Sequence, residues 1–236
     1  MAYIQGESRS QTSLFPVSLE ELIPEDHLVR VIDLYVAKLD LVQLGFDKAI
    51  PKSTGRPAYD PADQLKLYLY GYFQRIRSSR RLEAECQRNI EVMWLINRLK
   101  PDFKTIADFR KNNKPAFIAT CRAFVRFCRT AGLIAGDLVA IDGSKFQAVA
   151  SSRHAHEEAF ERMEQRMQAH PEMMAKRRSI VEHPFGNLKQ WLFGNGRFLL
   201  RQLEGTKAEM ALAVNAYNLK RAIKVLGVRH LMALMG

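Results

Sequence analysis

Residues 60–76 limit the possible folds of this chain more than any other stretch. Asp60 and Pro61 put an acid at a helix N-cap position and proline at the first helical position, and both are favoured there. The apolar residues that follow run almost all round a helix; they are Leu65, Leu67, Tyr68, Leu69, Tyr72, Phe73 and Ile76. A helix that is apolar on every side is buried. We therefore predict a central, buried helix here.

Further amphipathic helices follow from the spacing of apolar residues. A capping-box pattern at residues 18–21 precedes a predicted helix near residues 26–40, and a second such pattern at 105–108 predicts the start of a short helix. Pro115 begins another helix, and residues 205–226 have the pattern of a long amphipathic one. The expected fold class is mainly α.

The outward face of the helix that begins at Pro115 is basic, because Arg122, Arg126 and Arg129 face away from its apolar side. Compact helices with arginines near the turns are typical of a helical DNA-binding domain, and they are also common in ordinary helical domains. The segments 79–89 and 104–113 are a candidate helix pair for DNA recognition. From this pair we expect DNA contacts by Arg80, Arg81, Lys104 and Arg110.

Asp142 ends a short apolar run, residues 138–142, that reads as a buried strand. Phe146, Ala148 and Ala150 alternate with polar residues and form a candidate hairpin partner through Gly143 and Ser144. A carboxylate at the end of a buried strand is held rigidly, which suits a metal ligand.

Glu182 is the one acid in a basic run at residues 176–189. If a helix continues through Pro184 with a kink, Arg178, Glu182 and Lys189 lie on one face, where the carboxylate suits a divalent cation and the two bases suit phosphates. The alternative is a solvated pair of Arg178 and Glu182, which is common and weak.

The charge of the chain is distributed unevenly. Residues 1–60 hold 9 acids and 6 bases, whereas residues 61–236 hold 16 acids and 30 bases, so that the net charge of +11 comes entirely from the second part. A strongly basic part of this kind suits a polyphosphate partner, although solubility also accounts for surface charge. The three cysteines lack metal-ligand spacing and are predicted to be reduced core thiols. With no apolar run of about 20 residues and no signal-peptide pattern, we expect a cytoplasmic, nucleoid-associated protein without membrane contact.

Several blocks of the sequence together resemble the transposases of bacterial insertion sequences that belong to the DDE class. They are YGY at 70–72, SSRRLE at 78–83, RNIEVMW at 88–94, FKTIADFR at 103–110, IDGSK at 141–145 and EHPFG at 182–186. The resemblance runs from about residue 16 to residue 227 and implies a ribonuclease-H-like catalytic core. It implies that Asp142 and Glu182 are the first and third catalytic acids. They would bind Mg²⁺ or Mn²⁺ for phosphodiester cleavage and strand transfer.

The resemblance also implies DNA contacts beside the acids. Arg178 and Lys189 match the basic positions of the family pattern R-x3-E-x6-K, and Lys145 lies next to the first acid. The tyrosine that the family has three positions before this arginine is Ala175 here. The partner implied is DNA at the transposon ends. A second copy of the chain or intact transposase is a candidate protein partner.

The second catalytic aspartate of the family has no counterpart, because no aspartate follows Asp142. Only 39 residues separate Asp142 from Glu182, and the strands that would carry that aspartate are missing. We therefore predict an arm at 1–17, a helical domain at 18–133, and at 134–236 a shortened ribonuclease-H-like remnant with a short β-hairpin plus helices. The predicted function is that of a transposase with a catalytic defect. The alternatives are a non-catalytic DNA-binding module, an inhibitor of intact transposase, and a gene remnant.

Overall fold

The computed structural model describes residues 18–51, 53–54, 57–134, 183–194 and 197–236. Helices make up most of this part, in the order α1 (Leu28–Ala37), α2 (Pro61–Phe73), α3 (Ser79–Arg88), α4 (Ile90–Leu95), α5 (Phe103–Asn112), α6 (Lys114–Thr130), α7 (His183–Gly186), a π-helical turn (Asn187–Leu192), α8 (Leu203–Leu226) and α9 (Val228–Met235). No β-strand occurs among these residues. The mainly α fold is confirmed, while the predicted hairpin after residue 138 lies outside the described residues.

Helix α2 is central, as predicted. The Asp60 carboxylate accepts a hydrogen bond from the backbone N–H of Ala62 at 2.7 Å, and Pro61 occupies the first turn. Leu65, Tyr68 and Tyr72 are each 0% exposed. Helices α1, α4, α5 and α8 all pack against α2, so its apolar residues are covered on every side.

The C-terminal helices complete the same hydrophobic core. Helix α8, predicted at 205–226 and found at Leu203–Leu226, packs against α6 and α2, and α9 packs against α1 and α8. Leu212, Ala213 and Leu219 of α8 belong to one buried cluster with residues of α1, α2 and α6. The predicted domain boundary at residue 134 stays a prediction, but helices from both sides of it share this core.

An aromatic cluster occupies the space between α2, α5 and α6. The rings of Tyr68 and Phe117 have centroids 5.9 Å apart, and Phe109 lies 5.7 Å from Phe117 in an edge-to-face arrangement. Such pairs add about 0.5–1.5 kcal/mol each beyond their buried area. The Tyr68 hydroxyl donates to the carbonyl oxygen of Ile106 at 2.7 Å, which joins α2 to α5.

Two predicted helix starts differ from the observed ones. The hydroxyl of Ser18 and the carboxylate of Glu21 do hydrogen-bond at 2.7 Å, but in a turn, and α1 begins later, after His27. The prediction that Thr105 caps a helix is wrong, because the Asp102 carboxylate accepts from the backbone N–H of Thr105 at 2.6 Å. Asp102 is thus the N-cap of α5, and Thr105 lies inside the first turn.

The cysteines are free thiols, and two of the three lie in the core as predicted. Cys86 and Cys128 are buried, Cys121 is half-buried, and none forms a disulfide with another. Burial raises the pKa of the Cys86 thiol to about 12 and that of Cys121 to about 11. In the part of the chain that the structure covers, no helix is both long and apolar enough to cross a membrane.

Candidate nucleic-acid interface

A tight turn between α2 and α3 determines how the candidate DNA-binding arginines are presented. The backbone N–H of Ile76 donates to the carbonyl oxygen of Gly71 at 2.6 Å, which folds the chain back across the end of α2. A Cβ atom on Gly71 would lie 2.6 Å from the Ile76 oxygen and 2.7 Å from Cδ2 of Leu82. Glycine is therefore required here for the turn and the Leu82 side chain of α3 to lie against the end of α2.

Arg80, Arg81 and Lys104 lie close to the N-terminal ends of two packed helices, and we call them the α3–α5 surface. All three are exposed. The Arg80 guanidinium lies 5.2 Å from the ring centroid of Phe103, the first residue of α5. This cation–π contact connects the two helix ends, so the structure does bring these predicted residues onto neighbouring elements.

The two helix ends differ in their capping. Ser78 makes no capping hydrogen bond with its side chain at the start of α3 among the described residues, so the first N–H groups of α3 keep their positive potential. At α5, Asp102 supplies a carboxylate, and the hydrogen bond from the Thr105 N–H holds the pKa of this group below its usual value. The stronger site for an anion is therefore the start of α3 with Arg80 and Arg81.

Arg110 has a structural position. It is 7% exposed, its guanidinium lies 5.6 Å from the ring centroid of Tyr68, and its Nη1 donates to the carbonyl oxygen of Arg77 at 3.1 Å. An arginine held in this way stabilises the turn between α2 and α3 from inside the fold. Its guanidinium is not exposed to a phosphate. We therefore leave Arg110 out of the DNA-contacting set predicted from the sequence.

A buried ion pair joins the same turn to the C-terminal part of the chain. Arg77 Nη1 lies 3.0 Å from Glu209 Oε1, and the Glu209 side chain is 0% exposed. The other carboxylate oxygen of Glu209 accepts from the backbone N–H groups of Leu199 and Leu200, at 2.7 and 3.0 Å. Arg77 Nη1 also donates to the carbonyl oxygen of Arg197 at 2.8 Å. This network fixes residues 197–200 against the helix pair that carries the α3–α5 surface.

Sequence reasoning missed this network. The available signal was Glu209 itself, an acid on the same helical face as Leu212 and Ala216, where the neighbours are apolar and buried. A charge in that position needs a partner to offset its desolvation. The sequence does not say which of many arginines provides it.

Of the predicted residues around the catalytic acids, the structure describes Lys189. Asp142, Lys145, Arg178 and Glu182 lie outside the described residues. Lys189 is exposed on the π-helical turn, where the N–H of Phe193 donates to the carbonyl oxygen of Leu188 at 3.0 Å, five residues earlier. Because a π-helical turn holds more residues than an α-helical one, the α-helical period behind the predicted alignment of Arg178, Glu182 and Lys189 ends at Gly186.

Two family models match the chain. One is described as Transposase domain (DUF772) and matches residues 17–112, and the other as Transposase DDE domain and matches residues 137–219. The chain belongs to the DDE-class transposases of insertion sequences. Comparisons with curated proteins and with solved structures gave no match.

The two matches separate the candidate residues of the transposase. Arg80, Arg81 and Lys104 lie in the first matched region, and Asp142 and Glu182 lie in the second. The family implies DNA binding at transposon ends, and DDE domains generally use divalent metal ions. Within the described ranges, no group of three or more histidine, cysteine, aspartate or glutamate side chains could hold a metal ion.

Proposed function

We propose that this transposase binds DNA phosphates through the α3–α5 surface and is defective in metal-dependent strand cleavage. The observation that carries the first part is the packing of α3 on α5, which puts the exposed bases Arg80, Arg81 and Lys104 on neighbouring helix ends. The observation that carries the second is the lack of any aspartate after Asp142.

The α3–α5 surface has the chemistry of a phosphate site. Arginine presents a planar fork of hydrogen-bond donors that matches phosphate oxygens. The uncapped start of α3 adds backbone N–H groups, which are also donors and carry a positive partial charge. The Arg80 contact with Phe103 and the bracing of the turn by Arg110 restrict the motion of these helix ends. Contacts of this kind position DNA without reading its sequence.

The proposed catalytic defect follows from the number of carboxylates available to bind the metal ions. Two Mg²⁺ ions about 3.5–4 Å apart usually share a bridging carboxylate and need further oxygen ligands. Asp142 and Glu182 could supply ligands to one such ion with water completing its shell, and a bound divalent ion would stabilise the leaving oxygen at a phosphodiester. Glu157 and Glu158 are the first acids after Asp142 and are therefore candidates to replace the missing aspartate. The sequence predicts, however, that both lie on a solvated polar helix.

We also propose phosphate contacts beside the two acids, made by Lys145, Arg178 and Lys189. The exposure of Lys189 on the π-helical turn agrees with this role. The buried neighbours Leu188, Leu192 and Phe193 anchor the turn in the core, so Lys189 extends from a fixed backbone.

Salt dependence of DNA binding tests the proposed surface. We expect the variant with Arg80→Gln, Arg81→Gln and Lys104→Gln to lower the slope of log affinity against log salt by about 2.7, or about 0.9 for each lost phosphate contact. The charge-matched control changes three exposed bases on other elements, Lys38, Arg98 and Arg229, to glutamine. Equal slopes for the two variants would reject the α3–α5 surface as the DNA site.

The choice of DNA separates this proposal from an end-specific inhibitor. Phosphate contacts predict similar affinities for transposon-end and random duplexes of equal length. A preference for the ends of tenfold or more would show end-specific recognition, which these phosphate contacts do not provide and which an inhibitor that occupies the ends requires.

A further inference from the structure

Helix α6 lies in a stretch of the transposase that holds bases and no acids. Between Asp108 and Asp137 the sequence has no aspartate or glutamate. The six bases of this stretch are Arg110, Lys111, Lys114, Arg122, Arg126 and Arg129. Four of them lie on α6 itself, Lys114 in its first turn and Arg122, Arg126 and Arg129 in its second half.

These three arginines form a continuous stripe, which we call the α6 stripe. Arg122, Arg126 and Arg129 are spaced i, i+4 and i+7, so they lie on one face of the helix and span about 10 Å along its axis. All three are exposed, while Phe117, Phe124 and Cys128 on the opposite face are buried. The whole stripe therefore points away from the core.

The described part of the chain does not neutralise the stripe. None of the three arginines forms an ion pair with an acid in the described ranges. Glu204 lines the same groove as Arg122, but its carboxylate pairs with Lys207 Nζ at 2.9 Å. Like charges at i, i+4 destabilise a helix, and a polyanion along the stripe would relieve that repulsion.

The stripe has a fixed orientation relative to the α3–α5 surface. A single residue, Asn113, joins α5 to α6 and is 2% exposed. Its Oδ1 accepts from the backbone N–H of Asp47 at 2.6 Å, and its Nδ2 donates to the carbonyl oxygen of Phe109 at 2.9 Å. Because both ends of this side chain are held, the junction does not act as a hinge.

We propose that the α6 stripe is a second DNA-binding surface, which contacts the phosphate backbone of duplex DNA independently of the α3–α5 surface. The partner fits by charge and by length, because about 10 Å of stripe matches about three base-pair steps of 3.4 Å. This inference rests on the proposed DNA-binding function and adds a second set of phosphate contacts on α6. Arginine, rather than lysine, at all three positions suits direct phosphate contacts.

The test compares Arg122→Gln, Arg126→Gln and Arg129→Gln together with the control variant changed at Lys38, Arg98 and Arg229. With a random duplex, we expect the α6 variant to lower the slope of log affinity against log salt by about 2.7, and the control to keep most of the wild-type slope. Equal loss in both variants, or a wild-type slope in the α6 variant, overturns the inference.

Two further measurements keep the result unambiguous. The single change Arg126→Gln should lower the slope by about 0.9, which gives a test even if the triple variant does not fold; an unchanged slope in this variant also counts against the stripe. If the wild-type chain shows no salt-dependent DNA binding, the proposed function fails. If the wild-type chain binds DNA and the α6 variant keeps the wild-type slope, the proposed function stands and the stripe is rejected.

Discussion

Arg77 and Glu209 form a buried ion pair, with Nη1 and Oε1 3.0 Å apart, between residues that are 132 positions apart in the sequence. The pair joins the turn before α3 to helix α8, and Glu209 also accepts from the backbone of Leu199 and Leu200. Through it, the DDE-matched region and the DUF772-matched region of the transposase are held together by charge as well as by apolar packing.

Removing the Glu209 carboxylate should destabilise the fold strongly. Glu209→Ala removes the carboxylate that offsets the charge of Arg77 and takes away the acceptor of the Leu199 and Leu200 N–H groups. Breaking a buried pair in this way costs about 3–5 kcal/mol. Urea unfolding measures the loss. The matched control is Glu204→Ala, which breaks the exposed pair with Lys207 on the same helix and should cost at most about 1 kcal/mol. Similar losses in the two variants would contradict the role given to Glu209.

Gly71→Ala should destabilise the transposase through overpacking. The new methyl group would lie 2.6 Å from the Ile76 carbonyl oxygen, which is backbone and cannot move freely. We expect a loss of about 1–3 kcal/mol in the free energy of unfolding.

The matched glycine change is Gly186→Ala. A Cβ atom there meets no described atom within 4 Å, and the backbone φ of −59° is helical. This change should be neutral or should stabilise by up to about 1 kcal/mol, because alanine favours helices over glycine. A Gly71→Ala protein as stable as wild type would show that the turn before α3 is looser than described.

The Asp102 cap should make the stability of α5 depend on pH. The Thr105 N–H hydrogen bond lowers the pKa of this carboxyl in the folded protein. A group with a lowered folded pKa contributes stability that is fully present above its unfolded pKa of about 3.9 and is lost as the pH falls through the folded pKa.

The test of this pH dependence is the melting temperature of Asp102→Ala against wild type. We expect the variant to melt lower at pH 7, and the difference to shrink below about pH 4. Asp102→Asn keeps an acceptor at the N-cap and should remove most of the pH dependence while keeping the cap. A difference that stays constant from pH 7 to pH 3 would mean that the carboxylate charge plays no part.

Much of the helical fold was predictable because its signals are local. Asp60 and Pro61 start α2 by capping chemistry, and the apolar pattern after them requires burial. The start of α5 was mispredicted because Asp102 and Thr105 are both good N-cap residues three positions apart, and the sequence pattern favoured the wrong one. Residue preferences identify candidate N-cap residues, and the tertiary structure determines which of them begins the helix.

The candidate site was less predictable because its polar partners are distant in sequence. Arg110 looked like a DNA-binding residue, yet the ring of Tyr68 and the carbonyl of Arg77 enclose it. Arginine is rarely buried without partners, and those partners come from another helix and another turn. Asp142 and Glu182, by contrast, were identified by motif alone, and their arrangement stays a prediction.

The most direct test of the account is strand cleavage on DNA that carries transposon ends, in Mg²⁺ and separately in Mn²⁺, with DNA binding measured in the same samples. We expect salt-dependent binding by the wild-type chain and no cleavage above that of a variant with both Asp142→Ala and Glu182→Ala. Robust cleavage that either single change abolishes would contradict it, because two acids would then suffice for the metal chemistry.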